Sequence, residues 1–190
     1  MKNLTIILAV ITMCFCSCKK DEFVRPTIRT TERPAPTPSS TPPDSAVATI
    51  NAGITKHGMA FNSSTNKLYV ANQVDDYVSI INATSNTIIT NIPTGIFPSS
   101  IAVCSLNNTI YVSCNVSGDV YVIDGNTDTL ITSITTNTGE SFIAYSSTTN
   151  CMYLTNVATN DVTVINCATQ LIVSVVPLSS SPKGIVFCPI

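Results

Sequence analysis

The sequence has no tryptophan, a single histidine and only 11% charged residues. A lone histidine, His57, cannot build a His-rich metal centre, and no serine or cysteine can be assigned to it as a nucleophile. Seven glycines are scattered without forming a phosphate-cradling loop, and neither a haem-attachment motif nor a hydrolase motif is present. From residue 45 onward three lysines (56, 67 and 183) stand against seven carboxylates, a net charge of −4. Nucleic-acid binding needs a basic stripe, and this balance excludes one. The one long apolar run, Leu4–Ser17, is too short to span a bilayer. Cysteines are not scarce, but Cys104, Cys114, Cys151, Cys167 and Cys188 match no zinc spacing. They read as small buried hydrophobes, with one disulfide of open pairing available in an oxidising compartment.

What the sequence does contain is a repeat. Leu68-Tyr69-Val70-Ala71-Asn72 returns as Ile110-Tyr111-Val112-Ser113-Cys114 and as Met152-Tyr153-Leu154-Thr155-Asn156, a spacing of 42 residues. Val78–Asn82, Val120–Asp124 and Val162–Asn166 keep the same step, and so do 58–61, 100–103, 142–145 and 184–187. β-Branched runs separated by Ser, Thr, Asn and Asp turns favour strands, a composition that suits a β-protein and not a helical enzyme. A period of roughly 40–45 residues with four strand-like runs per unit implies an all-β propeller built from four-stranded antiparallel blades. The runs place inner strands at 57–61, 99–104, 141–145 and 184–188, and tyrosine strands at 67–72, 109–114 and 151–156. Third strands follow at 77–82, 119–124 and 161–166, and outer strands at 87–92, 129–134 and 171–176, with a lone outer strand at 47–50. That makes three full blades plus a partial flanking strand at each end, an incomplete ring. The shortfall has three readings: a fragment of a longer propeller, an arc completed by another subunit, or a solitary arc. Open blade edges also imply self-association.

Ahead of the repeats the composition changes twice. Lys2 precedes the apolar stretch, which ends at Phe15-Cys16-Ser17-Cys18 and is followed by Lys19-Lys20-Asp21-Glu22. This resembles a bacterial lipoprotein signal, with the small Ser17 before the cysteine that is cleaved and acylated. The Cys-Lys-Lys-Asp-Glu run is similar to the export signal of surface lipoproteins in Bacteroidota-type bacteria. The resemblance implies a signal peptide over 1–17, lipidation of Cys18, membrane attachment through that lipid, and a place in the outer membrane or at the cell surface. Residues 18–44 hold six of the eleven prolines among Thr and Ser, a composition that buries too little apolar surface to order itself. It reads as a tether of polyproline II character. Residues 45–190 form the propeller unit.

Within that unit, Tyr69-Val70-Ala71-Asn72, Val78-Ser79-Ile80-Ile81-Asn82, Gly95, Pro98 and Ile101-Ala102-Val103 together resemble the YVTN-family β-propeller repeat. The resemblance implies a surface or periplasmic propeller; the family shares no catalytic residues, so none is carried over.

Three groups of side chains are weighed against an ordinary structural role. Lys56, His57, Glu140 and Lys183 fall near the starts of inner strands, at one mouth of a propeller channel, where they suit a small polar or anionic ligand. A solvated turn histidine is the plainer reading of His57. Asp124, Asn126 and Asp128 have the alternate spacing of a calcium loop, but the aligned residues in other repeats mark an ordinary turn and no downstream glutamate completes the loop. The adjacent Asp75 and Asp76 point to opposite sides of an extended chain and make a poor acid–base pair. The expectation is a non-enzymatic, lipid-anchored binding scaffold for a protein, glycan or small ligand, with no cofactor. The alternative is part of a propeller enzyme, or of a redox or cofactor-carrying domain, whose active residues lie in missing blades.

Overall fold

A computed structural model describes residues 48–187 except 138 and 140. It holds twelve strands and, among the described residues, no helix. The first sheet contains β1 (Lys56–Asn62), β2 (Lys67–Asn72), β3 (Tyr77–Asn82) and β4 (Thr87–Pro93). The second contains β5 (Pro98–Cys104), β6 (Thr109–Cys114), β7 (Asp119–Asp124) and β8 (Thr129–Thr135). The third contains β9 (Ser141–Ser146), β10 (Cys151–Asn156), β11 (Asp161–Asn166) and β12 (Leu171–Pro177). Each is a simple antiparallel meander in chain order.

The turns explain the meanders. Each of the nine hairpins has a four-residue turn whose last residue is left-handed: Asn66, Asp76, Asn86, Asn108, Gly118, Asp128, Asn150, Asn160 and Gln170. Asn, Asp and Gly tolerate that conformation best, so the sequence places them there in eight cases of nine. The strand-ending Asn82, Asp124 and Asn166 each accept two turn N–H groups on Oδ1, at 2.8–3.4 Å. Bonding from the Asn126 N–H holds the Asp124 carboxyl below its ordinary range. Every outer strand has a register shift at the same repeat position (Ile80/Ile81, Val122/Ile123 and Val164/Ile165). A bulge there bends and twists the sheet, and the repeat reproduces the bend in each blade.

Side chains alternate between the two faces of each sheet, and both faces of the second sheet are covered by its neighbours. Tyr69, Val78, Ile80 and Ile92 of the first sheet pack on Ile101, Ile110, Val112 and Ile123 of the second. One repeat later, Tyr111, Val120 and Val122 pack on Ile143, Met152, Leu154 and Ile165. Each large aliphatic side chain fully buried here contributes roughly 1.5–3 kcal/mol. The tyrosine hydroxyls cannot be left dry, and each crosses to the next blade: Tyr69 donates to Asp128 Oδ1 at 3.2 Å, Tyr111 to the Cys167 carbonyl at 3.4 Å.

The two flanking strands expected from the repeat do not form among the described residues. Residues 48–50 of the expected 47–50 strand are irregular, and so are 184–187 of the expected 184–188 strand. A strand needs a ladder partner, and the middle strands that would supply one are not among the described residues. The first segment instead lies across the front of the first sheet. Ala52 is buried against Val70 and Ile81, its carbonyl accepts the Ser79 hydroxyl, and Gln73 N–H donates to the Thr55 carbonyl. Gly53 (φ +114°) sits so close to Asn72 that an added Cβ would fall 2.2 Å from Oδ1. At the far side, Phe187 packs its ring 4.8 Å from that of Tyr153.

Candidate functional site

The inner strands β1, β5 and β9 begin at the same end of the arc, and their first residues form one polar row. His57 Nδ1 lies 3.0 Å from the Ser99 carbonyl. A carbonyl only accepts, so Nδ1 is the donor in this contact, on a ring that is otherwise exposed. Ser99 and Ser141 are joined through Asn115, whose Oδ1 accepts the Ser99 hydroxyl at 2.7 Å, the Ser141 hydroxyl at 3.1 Å and the Ser141 N–H at 3.2 Å. Ser113, buried beneath, lies 3.2 Å from the Ser99 hydroxyl. Inner strands approach tightly at this end: a Cβ on Gly58 would fall 2.2 Å from the Ser99 carbonyl.

Loops at the same end expose apolar side chains. Ile54 is 80% exposed, Val74 55% and Val116 52%; Ile96 and Phe97 are also exposed. Ile54 and Ile96 share a repeat position, as do Val74 and Val116. Phe97 adopts φ +62°, a conformation costly for a bulky side chain, of order 1–3 kcal/mol. It is pinned on both sides: its N–H donates to Asp76 Oδ1 at 2.9 Å and its carbonyl accepts the Asn115 N–H at 2.9 Å. The matching residue one repeat later is Gly139, also at positive φ.

Of the mouth residues expected from sequence, the structure joins His57 to the Ser99 and Ser141 row. Lys56 is its exposed neighbour, in register with Asn72. Lys183 is exposed in the irregular 181–187 segment, and Glu140 and Cys18 lie outside the described residues. Asp124, Asn126 and Asp128 sit at the opposite end, in the β7–β8 turn. Their oxygens meet separate donors: Asp124 caps its own turn, Asn126 Oδ1 accepts Asn108 Nδ2 at 2.8 Å, and Asp128 pairs with Lys67 at 2.7 Å. Lys67 Nζ also donates to the Gly125 carbonyl at 3.2 Å. Among the described residues no group of three or more His, Cys, Asp or Glu side chains gathers as a metal site.

Sequence reasoning missed Asn115 and the Lys67–Asp128 bridge. Both are departures from the repeat: Asn115 aligns with Gln73 and Val157, Lys67 with Thr109 and Cys151, and Asp128 with Asn86 and Gln170. Opposite charges that break a neutral repeat at one blade junction are a signal that could have been used.

No protein-family profile and no curated sequence matches the chain. Its fold is similar to solved structures. A hydrazine synthase chain from Kuenenia stuttgartiensis aligns with a TM-score of 0.63 at 20% identity, over 68% of this chain and 38% of that one. The WD40 repeats of RRP9 align with 0.61 at 13% identity, over 68% and 41%. Apo AztD from Citrobacter koseri aligns with 0.57 at 14% identity, over 65% and 36%. The chain spans about two-fifths of the length of these structures. Three stacked four-stranded meanders and these likenesses together make the chain a β-propeller repeat protein, its described residues forming three blades of an open arc.

Proposed function

We propose that the chain is a non-enzymatic binding scaffold of the YVTN propeller type, held at the outer membrane or cell surface by a lipid on Cys18. Its partner docks on the arc end that carries the inner-strand starts. The observation that supports this is the repeated exposed apolar set Ile54, Ile96, Val74 and Val116, with the strained Phe97, around the polar His57–Ser99–Asn115–Ser141 row. Surface apolar groups clustered around fixed polar groups suit a protein surface or a glycan, which offer flat contact and a few hydrogen bonds. The likeness to WD40-type folds is compatible with that use.

A photo-crosslinking residue at Val116 tests the docking end, with Leu106, exposed at the other end, as control. In envelope preparations the Val116 probe is expected to give discrete adducts that Ile96→Ser with Phe97→Ser removes. Equal labelling from Leu106, or none from Val116, refutes the proposed face. Labelled palmitate incorporation lost in Cys18→Ala tests the anchor separately.

A further inference from the structure

The second blade junction holds a pair of thiols that the first lacks. Cys104 ends β5, Cys167 opens the β11–β12 turn, and both are wholly buried between the second and third sheets. Asn150 touches both: Cys104 Sγ donates to its Oδ1 at 3.7 Å, and Cys167 N–H donates to its carbonyl at 3.1 Å. The Cys167 backbone is clamped as well, its carbonyl accepting Asn107 Nδ2 at 2.8 Å and the Tyr111 hydroxyl at 3.4 Å.

The first junction supplies an independent view of the same geometry. There the equivalent positions are Asn62 and Gly125, and a Cβ built on Gly125 would fall 2.8 Å from Asn62 Nδ2. The Cα–Cβ direction at this turn position therefore aims at the side chain ending the previous blade's inner strand. One repeat later that direction points the Cys167 side chain toward the end of β5, where Cys104 lies in the same fully buried cluster. Cys114 is at the other end of the second sheet, opposite Pro98. Cys151 is the competitor: it lies in the same sheet as Cys167, opposite Asn166, with its thiol donating to the Thr149 carbonyl at 3.4 Å.

We infer that Cys104 and Cys167 are a disulfide pair that staples the third blade to the second, closed by exchange with a small-molecule or protein disulfide. One thiolate attacks the oxidant's S–S bond to form a mixed disulfide and releases one reduced thiol. The second thiolate then displaces the other, so the pair loses two protons and two electrons and the oxidant becomes two thiols. In the docked state burial pushes the Cys167 thiol up to about 12, which leaves almost no thiolate at neutral pH. Closure therefore belongs to the stage at which the third sheet settles on the second, and the finished bond is shielded from reductant.

The test uses the full chain. It is reduced, unfolded, refolded in a glutathione redox buffer, alkylated, cut with chymotrypsin without reductant, and analysed by mass spectrometry. The expected product is one linked peptide pair carrying Cys104 and Cys167. The thermal midpoint should sit on the order of 10 °C above that of the reduced chain. Cross-linking of chain folded before oxidation should be roughly tenfold slower or more. A Cys151–Cys167 link, or free thiols at both Cys104 and Cys167 after refolding, overturns the assignment. Cys104→Asn with Cys167→Gly restores the Asn62/Gly125 pair of the first junction. That variant should fold, with a midpoint indifferent to reductant, and a reductant shift as large as the native chain's also overturns it.

Discussion

Asp128→Asn isolates the Lys67–Asp128 ion pair that links the first two blades. Asn is nearly isosteric, tolerates the left-handed φ of +57° at this position, and still offers Oδ1 to the Tyr69 hydroxyl. What it removes is the charge facing Lys67, which lies 2.7 Å away with both side chains only 15% and 12% exposed. A fully exposed pair contributes roughly 0.2–1 kcal/mol, whereas removing one partner of a buried pair costs roughly 3–5. The partial burial here, and the second acceptor left to Lys67 at the Gly125 carbonyl, place the loss at about 1–2 kcal/mol. Asp128→Ala should lose about 1 kcal/mol more, because alanine also meets the left-handed backbone cost. Urea unfolding of the full chain carrying Asp128→Asn, Lys67→Met and both together measures the coupling directly. The pair is shielded, so the coupling should persist at high salt. A coupling energy under about 0.3 kcal/mol, or equal losses for Asn and Ala, would refute this account of the junction.

Gly58→Ala should destabilise by about 2 kcal/mol or more in the same assay, since the new methyl meets the Ser99 carbonyl and the first two inner strands must part; an unchanged midpoint would show that they are free to do so. Gln170, the one hairpin left-handed residue that is not Asn, Asp or Gly, should gain about 0.5–1 kcal/mol on substitution by Gly, read as a higher thermal midpoint. The reduced chain should also lose stability in alkali. Burial pushes Cys114 up to about 11 and Cys167 up to about 12, so the native state holds protons that the unfolded chain releases near pH 9. That stabilisation is complete below pH 9 and is lost as pH rises through 11–12. Urea midpoints at pH 8 and pH 10.5 check the sign, and a flat profile would contradict it.

The 42-residue step located every described strand to within a residue or two, because hairpin formation is local. Asn and Asp recur four residues past a strand end, where only residues tolerant of positive φ fit, and that chemistry is legible without a fold. His57 could be placed at an inner-strand start for the same reason. Its bond to Ser99 could not, nor could the hub at Asn115, whose distinction is that it differs from Gln73 and Val157. The flanking strands failed for a related reason: their sequence fits the strand period, but strand structure depends on a partner that periodicity cannot supply.

Sequence alone therefore determined the strands, their meander and the turns between them, all properties that act over a few residues. Tertiary structure alone decided the contacts between blades, such as Lys67 with Asp128 and the Tyr111 hydroxyl with the Cys167 carbonyl, and the folding-back of 48–55 onto the first sheet. The reason is physical. Contacts 58–61 residues apart arise only when stacked sheets bring distant chain ends together at one angle, and no local preference encodes that angle.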